Sequence, residues 1–278
     1  MITVVGHTAY DYIFNVENHP LLNHSSYILK WNKFYGGGGA NIAVGISKFG
    51  IKSKLYSAIG IDGKRYENYL KKLGISLNFY RSNKKTARAF IFNSKKGQKM
   101  YFYWGASEEM EKMRGIKSEI LHIAPCHPKL AIKMAENSEF FAFEPGQDLK
   151  KYCKEEIEYM IENADIIFCN EIEYKYLKKF EIRGNIIVTL GNKGSIIYKS
   201  GKRIPAIPSK QIDATGAGDA YKAGFWFGLL NGYDLEVCCK LGSISASFVI
   251  EKMGAQNFPN LEKLKNRYEK YFGKLKFC

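Results

Sequence analysis

From residue 119 onward, apolar runs at 120–124, 140–143, 165–169 and 185–190 alternate with stretches of helical length at 128–137, 148–162 and 171–180. Strand followed by helix, repeated in this way, argues for a parallel sheet with helices on both faces. Residues 2–6, Ile-Thr-Val-Val-Gly, are continuously apolar, as a strand buried on both sides is. The 278 residues carry no internal repeat, low-complexity tract or linker, and their length admits one α/β domain or a main domain with a small accessory one. In such a fold, ligands sit at the carboxyl ends of the strands.

Those ends are occupied by Glu144-Pro145-Gly146-Gln147, Asn170-Glu171-Ile172-Glu173 and Gly191-Asn192-Lys193-Gly194. The most informative stretch lies further on. Asp213-Ala214-Thr215-Gly216-Ala217-Gly218-Asp219 is a tight loop of small residues that runs into a helix-patterned segment, Ala220 to Phe227. Backbone N–H groups at such a helix start point at one spot, and the helix dipole makes that spot attractive to an anion. Asp219, in the first turn, either complements the dipole or takes a proton from a hydroxyl that attacks phosphorus. On the loop alone both readings are open.

A second glycine site, Gly36-Gly37-Gly38-Gly39-Ala40-Asn41, opens an amphipathic pattern of Ile42, Ile46 and Phe49 that stops at Gly50. Four glycines let the backbone approach a ligand where a Cβ would collide. Asp11, five residues after Gly6, reads as a helix cap or as an acceptor for substrate hydroxyls, the cap being the plainer reading by itself. Residues 11–33 resemble a hairpin, and residues 86–92 and 99–104 form a second one around Asn93-Ser94-Lys95-Lys96-Gly97-Gln98. Tyr101-Phe102-Tyr103-Trp104 puts aromatics on both of its faces, so one face is expected to cover a ligand or a partner subunit.

Composition narrows the partners. The formal charge of +15 would suit nucleic acid or a phosphorylated ligand. The lysines, however, are spread along the chain as pairs such as Lys71-Lys72, Lys95-Lys96 and Lys150-Lys151, which reads as solvated faces. The six cysteines and five histidines show no metal-ligand spacing and read as reduced thiols and scattered imidazoles. Residues 1–6 lack a basic flank, and no apolar run reaches about 18 residues, so a soluble cytoplasmic protein with no membrane partner is expected.

No Gly-x4-Gly-Lys-Ser/Thr motif occurs, since Gly191-Asn192-Lys193-Gly194-Ser195 has the composition in the wrong order, and no Gly-x-Gly-x-x-Gly follows the first strand. The motifs that do occur resemble those of the PfkB or ribokinase-like carbohydrate kinases. The glycine site from Gly37 to Ala43, with Gly50 and Gly60, is similar to the family's amino-terminal signature, and Asp213 to Asp219 to its carboxyl-terminal one. Asn170-x-x-Glu173 and Thr189-x-Gly191-x-x-Gly194 match two further family motifs in family order. Residues 6–16 and 144–149 look most like those of archaeal broad-specificity nucleoside kinases.

The resemblance implies a ribokinase-like three-layer α/β fold in a single domain, with a small β lid formed by about residues 12–33 and 86–104. It implies transfer of the γ-phosphoryl group of ATP to the primary 5′ hydroxyl of a nucleoside, with Asp219 as general base and Gly216, Ala217 and Gly218 as the anion hole. Asp11, Gly37, Gly38 and Asn41 would bind the acceptor. Asn170, Thr189, Gly191, Lys193 and Gly194 would serve ATP, and Glu173 would hold Mg²⁺ through water. Activation by a monovalent cation such as K⁺ is left open. Family lids often pair between subunits, so a homodimer through the lid is expected. One departure bears on substrate: Glu144-Pro145-Gly146 stands where many sugar kinases carry Asp-Pro-Asn, which removes a contact or moves it to Gln147. No basic residues are assignable to a second sugar phosphate, and an aromatic lid suits a flat base by stacking. A nucleoside is therefore set ahead of ribose or another sugar, and ahead of nucleic acid, for which only the charge speaks.

Overall fold

The computed structural model describes residues 1–275. The chain begins with β1 (Ile2–Val5), β2 (Ala9–Val16), β3 (Ile28–Gly36), α1 (Gly38–Lys48), β4 (Ser53–Ile59), α2 (Lys64–Lys72) and β5 (Ser76–Arg81). It continues through β6 (Ala87–Ser94), β7 (Gly97–Tyr103), β8 (Ser118–Ile123), α3 (Pro128–Ala135), β9 (Ser138–Phe143), α4 (Lys154–Asn163), β10 (Ile166–Asn170) and α5 (Glu171–Leu177). The last elements are β11 (Asn185–Thr189), β12 (Ser195–Ile197), β13 (Lys202–Ile204), α6 (Ala217–Leu230), α7 (Leu235–Val249) and α8 (Leu261–Phe272).

Nine strands form the main sheet in the order β13-β12-β11-β10-β9-β8-β1-β4-β5. The pairs from β5 through β11 are parallel, and β12 and β13 close one edge antiparallel. Successive side chains of a strand enter different cores. Val4 packs with Ile42, Ile46, Phe168 and Trp226, and Val5 with Leu121, Ile123, Leu130 and Ile161. α1, α6 and α7 thus cover one face and α3 and α4 the other, as a parallel sheet buried on both sides requires.

The helix expected over 148–162 is divided. Residues Gly146–Lys151 form a 3₁₀ turn, and α4 starts only at Lys154. Asp148 is drawn inward to His7 Nε2 at 2.6 Å, and the Glu156 carboxylate accepts from the Cys153 N–H at 2.9 Å to start the helix anew. β5, β12, β13, α7 and α8 have no counterpart in the expected elements. Of the cysteines, Cys126, Cys169, Cys238 and Cys239 are buried free thiols and Cys153 is exposed, while Cys278 lies outside the described residues.

A second sheet of four strands, ordered β3-β2-β6-β7, stands beside the main one. Its two antiparallel pairs are the expected hairpins, and the parallel pair β2-β6 joins them. Ile13, Ala89 and Ile91 face inward with Phe34, Phe102 and Met253. Alternation sends Tyr12, Phe14, Phe90 and Phe92 to the opposite face, where Tyr12 stacks on Phe90 at 5.4 Å and Phe14 on Phe92 at 4.9 Å. The inner face reaches the main body: the Phe102 ring lies 4.7 Å from His7, and Gln98 Nε2 donates to Thr215 Oγ1 at 3.4 Å. No described helix is long and apolar enough to cross a membrane.

Candidate active site

The 213–219 loop is held from below by Asp213, which is buried. Its carboxylate accepts from the Thr215 N–H (3.1 Å), the Thr215 hydroxyl (2.8 Å) and the Gly254 N–H (2.9 Å). Gly216 is the N-cap of α6 in the left-handed region, φ 78°, and a Cβ there would lie 2.4 Å from that of Ala255. Only glycine satisfies both conditions. Among the described residues, no acceptor meets the N–H groups of Gly216, Gly218 and Asp219, whereas Ala217 donates to the Ala214 carbonyl at 3.2 Å. Open donors therefore lie at the positive end of a 14-residue helix.

Asp219 sits in the first turn of that helix with 19 % of its side chain accessible, enough for a hydroxyl to reach it. Asn41 Nδ2 donates to its Oδ2 at 2.7 Å. Asn41 is held in turn by Gln256 Nε2 at 2.9 Å, and Gln256 also donates to Tyr66 Oη at 2.7 Å. Burial, opposed by the Lys222 ammonium, raises the Asp219 carboxyl to about 6.

Asp11 lies within β2, opposite Phe34, and caps no described helix, so the cap reading fails. It is 4 % exposed, and its carboxyl has no hydrogen-bond partner among the described residues. Burial first, then the charges of Asp219 and Asp213, push its carboxyl up to about 8. A buried carboxyl that no donor meets is costly to the fold.

The glycine segment between these carboxylates serves the protein more than it serves a ligand. A Cβ on Gly36 would fall 2.1 Å from the Asp11 carboxyl, one on Gly37 2.5 Å from the His7 carbonyl, and one on Gly39 2.7 Å from the Gly6 backbone. Among these four only Gly38 has room for a Cβ, which would make ordinary contacts of 3.6 Å with Asp219 Oδ1 and Pro125 Cδ. Gly36 to Asn41 thus packs against the Asp11 carboxyl at one end and bonds to Asp219 at the other.

On the other side of the loop, a cavity of about 410 Å³ runs from Thr189, Gly191, Asn192 and Gly194 to Ala217 and Gly218. That is the size of a small-molecule site. Lys193 is exposed and outside its lining, where Asn192 stands instead. The wall from α7, including Ser243 and Ser247, belongs to a stretch in which the sequence offers no motif. Asn170 and Glu173 form a reciprocal capping box: Asn170 Oδ1 accepts from the N–H groups of Ile172 and Glu173 at 2.8 and 2.9 Å, and Asn170 Nδ2 donates to Glu173 Oε1 at 2.8 Å. Gln147 is exposed on the 3₁₀ turn and contacts none of the residues above.

Two residues that carried no role in the sequence complete the floor. Glu144, directly after β9, and Lys222, one turn beyond Asp219, form a buried ion pair, and Lys222 Nζ lies 4.0 Å from Asp219 Oδ1. Glu144, Asp219 and Glu173 all act electrostatically on this one ammonium. Among the described residues no three His, Cys, Asp or Glu side chains close on one point.

A carboxylate, open N–H donors at a helix start and a ligand-sized cavity thus stand together at the start of α6. The chain is a phosphotransferase with an alcohol group as acceptor. It belongs to the PfkB family, whose model, described as pfkB family carbohydrate kinase, matches residues 1–263. The nucleoside kinase of Methanocaldococcus jannaschii is 42 % identical to it over 97 % of each chain. That of Methanothermobacter thermautotrophicus is 33 % identical over 98 % of this chain and 96 % of its own. The crystal structure of the M. jannaschii nucleoside kinase, an archaeal member of the ribokinase family, aligns at a TM-score of 0.88 and 43 % identity, covering 97 % of this chain and 98 % of that one. The fold is accordingly ribokinase-like.

Proposed function

We propose that the protein transfers the γ-phosphoryl group of ATP to the 5′ hydroxyl of a nucleoside. The observation that carries this reading is the placement of Asp11 and Asp219 at the two ends of one glycine segment, with the loop donors beside the second. Asp11 accepts hydrogen bonds from the vicinal ribose hydroxyls, with Gly37, Gly38 and Asn41 along the same edge. That leaves the primary hydroxyl near Asp219, which removes its proton as the oxygen attacks. N–H groups of the 216–219 loop stabilise the charge on the transferred group. ATP occupies the cavity of about 410 Å³, past Thr189, Gly191 and Gly194. Asn170 and Glu173 would hold Mg²⁺ through water, and the ion would supply charge neutralisation on the phosphates. The base is stacked by the aromatic end of β7, where Phe102 and Trp104 flank His7 at 4.7 and 5.6 Å. In this reading the small sheet is a lid that excludes water from the reaction. The similarity to two archaeal nucleoside kinases supports a nucleoside over ribose or another sugar.

A coupled assay with ATP and Mg²⁺ against adenosine, inosine, guanosine, cytidine, ribose and fructose 6-phosphate tests the substrate class. Turnover of nucleosides is expected. Turnover of ribose or the sugar phosphate alone would replace the nucleoside reading with that of a sugar kinase.

The raised carboxyl of Asp11 gives this binding a sign. Below about 8 the free protein holds Asp11 protonated, whereas hydroxyl donors favour the carboxylate, so binding releases a proton. Nucleoside affinity is expected to rise about tenfold per pH unit from 6 to 8 and to level off above. Calorimetric titration without ATP reads this directly, and a flat profile contradicts the role of Asp11.

The outer face of the small sheet leaves Trp31 57 % and Tyr101 64 % exposed beside the stacked row of Tyr12, Phe90, Phe14 and Phe92. We assign it to pairing with a second copy of the chain. Light scattering should give twice the chain mass, and Trp31→Lys should return the monomer. A wild-type monomer at micromolar concentration removes the assignment.

A further inference from the structure

The buried pair Lys222–Glu144 lies outside the machinery assigned above. Lysine and glutamate are seldom fully buried, and ion pairs in cores commonly add little to stability over apolar residues of the same size. Stability alone therefore does not explain the pair. Its surroundings do. Lys222 Nζ is 4.0 Å from Asp219 Oδ1, while Asn41 donates to the other oxygen, Oδ2, at 2.7 Å, so the carboxylate of Asp219 is flanked from α6 and from α1. A Cβ on Gly218 would lie 3.4 Å from the same Nζ, which places the ammonium directly beneath the anion loop.

Glu144 fixes the ammonium there. Behind Glu144 stands His122 of β8, whose Nε2 is 3.8 Å from Glu144 Oε2 and whose Nδ1 accepts from the Trp226 indole N–H at 3.0 Å. Burial lowers the His122 imidazole, so it is neutral and carries its proton toward Glu144. Burial works against both charges, but the neighbouring charges and hydrogen bonds together exceed it, leaving Lys222 raised and Glu144 lowered.

Resting on the proposed function for the identity of the base, we propose that Lys222, locked by Glu144, is the positioning residue of Asp219. The ammonium keeps that carboxylate charged and aimed at the acceptor hydroxyl. The groups that face Asp219 are Lys222 on its own helix, Asn41 from α1, Asp11 from β2 and Glu144 after β9, with His122 of β8 behind Glu144 and Glu173 of α5 across the ammonium. Lys222 is the one cation among them.

The two members of the pair pull the Asp219 carboxyl in opposite directions, Lys222 down and Glu144 up. The test is a ¹³C NMR titration of the Asp219 carboxyl carbon, assigned by its loss in Asp219→Asn, in the wild type, Lys222→Met, Glu144→Gln and the double variant. Lys222→Met should raise the titration midpoint by about one unit or more, the usual effect of an opposite charge at this range. Glu144→Gln should lower it, and the double variant should return to within about half a unit of wild type. Removing one partner of a buried pair can unfold a protein. The double variant, neutral at both positions, keeps the test readable in that case, because a merely packed pair would leave wild-type and double-variant activities equal at every pH. Under the proposal the double variant, lacking the aiming ammonium, loses kcat at least about tenfold with the KM for ATP unchanged. Midpoints that do not move, or that move the same way in both single variants, overturn the proposal. The titration needs no turnover, so failure of the nucleoside reading and failure of this one are seen separately.

Discussion

Replacing Asp219 with asparagine lowers turnover at least about a hundredfold and leaves ATP affinity within a few-fold of wild type. The substitution keeps the shape of the side chain and retains an oxygen for the 2.7 Å bond from Asn41, so the loop and α6 have no reason to move. What disappears is the group that accepts the hydroxyl proton in the proposed mechanism, and a positioned base is worth about 10²–10⁴ in rate. In the proposed reading ATP binds in the cavity on the far side of the loop, whose lining does not include Asp219. Single-turnover kinetics together with nucleotide titration check both halves. Turnover within a few-fold of wild type would leave Asp219 as an ordinary helix-start aspartate.

The second large effect falls on the acceptor alone. Asp11→Ala weakens nucleoside binding by about a hundredfold or more, since each hydrogen bond to a charged group contributes about 1.5–3 kcal/mol and a vicinal diol makes two. The same change leaves the thermal midpoint unchanged or higher, because Asp11 is 4 % exposed and pairs with nothing among the described residues. Binding and stability thus move in opposite directions, as they do where a fold carries a strained functional group. A variant that melts earlier and loses ATP and nucleoside equally would return Asp11 to a structural role.

The parts of this molecule that were legible in its sequence are those written in local patterns. Apolar runs alternating with helical stretches fixed a parallel sheet without any knowledge of pairing, and 213–219 announced a helix start with open donors. Residues 171–177 form their helix behind Asn170 because the capping box that starts it is contained in four consecutive residues. The misread parts depend on contacts distant in sequence. Residues 148–151 carry helix-forming residues, yet Asp148 is pulled away by His7, 141 positions earlier. Gly36 to Gly39 looked like room for a ligand, and three of them turned out to be room for Asp11, His7 and Gly6. Lys222 lay in plain view within the apolar run after Asp219, but its partner Glu144 is 78 residues upstream, and nothing local distinguishes it from a surface lysine. Asp11 read as a helix cap from its own neighbours, and its place in the middle of β2 went unseen because a mid-strand carboxylate whose side chain has no partner leaves no signature in sequence.

The central claim is that Asp219 directs the γ-phosphoryl group of ATP onto the 5′ hydroxyl of a nucleoside. It is tested most directly by ³¹P NMR of the product formed from inosine, ATP and Mg²⁺, with Asp219→Asn run in parallel. The account predicts one new monoester resonance, coupled to the 5′ methylene protons, that grows with wild type and is absent with the variant on the same timescale. A phosphate on a secondary hydroxyl, or equal product from both proteins, would contradict it.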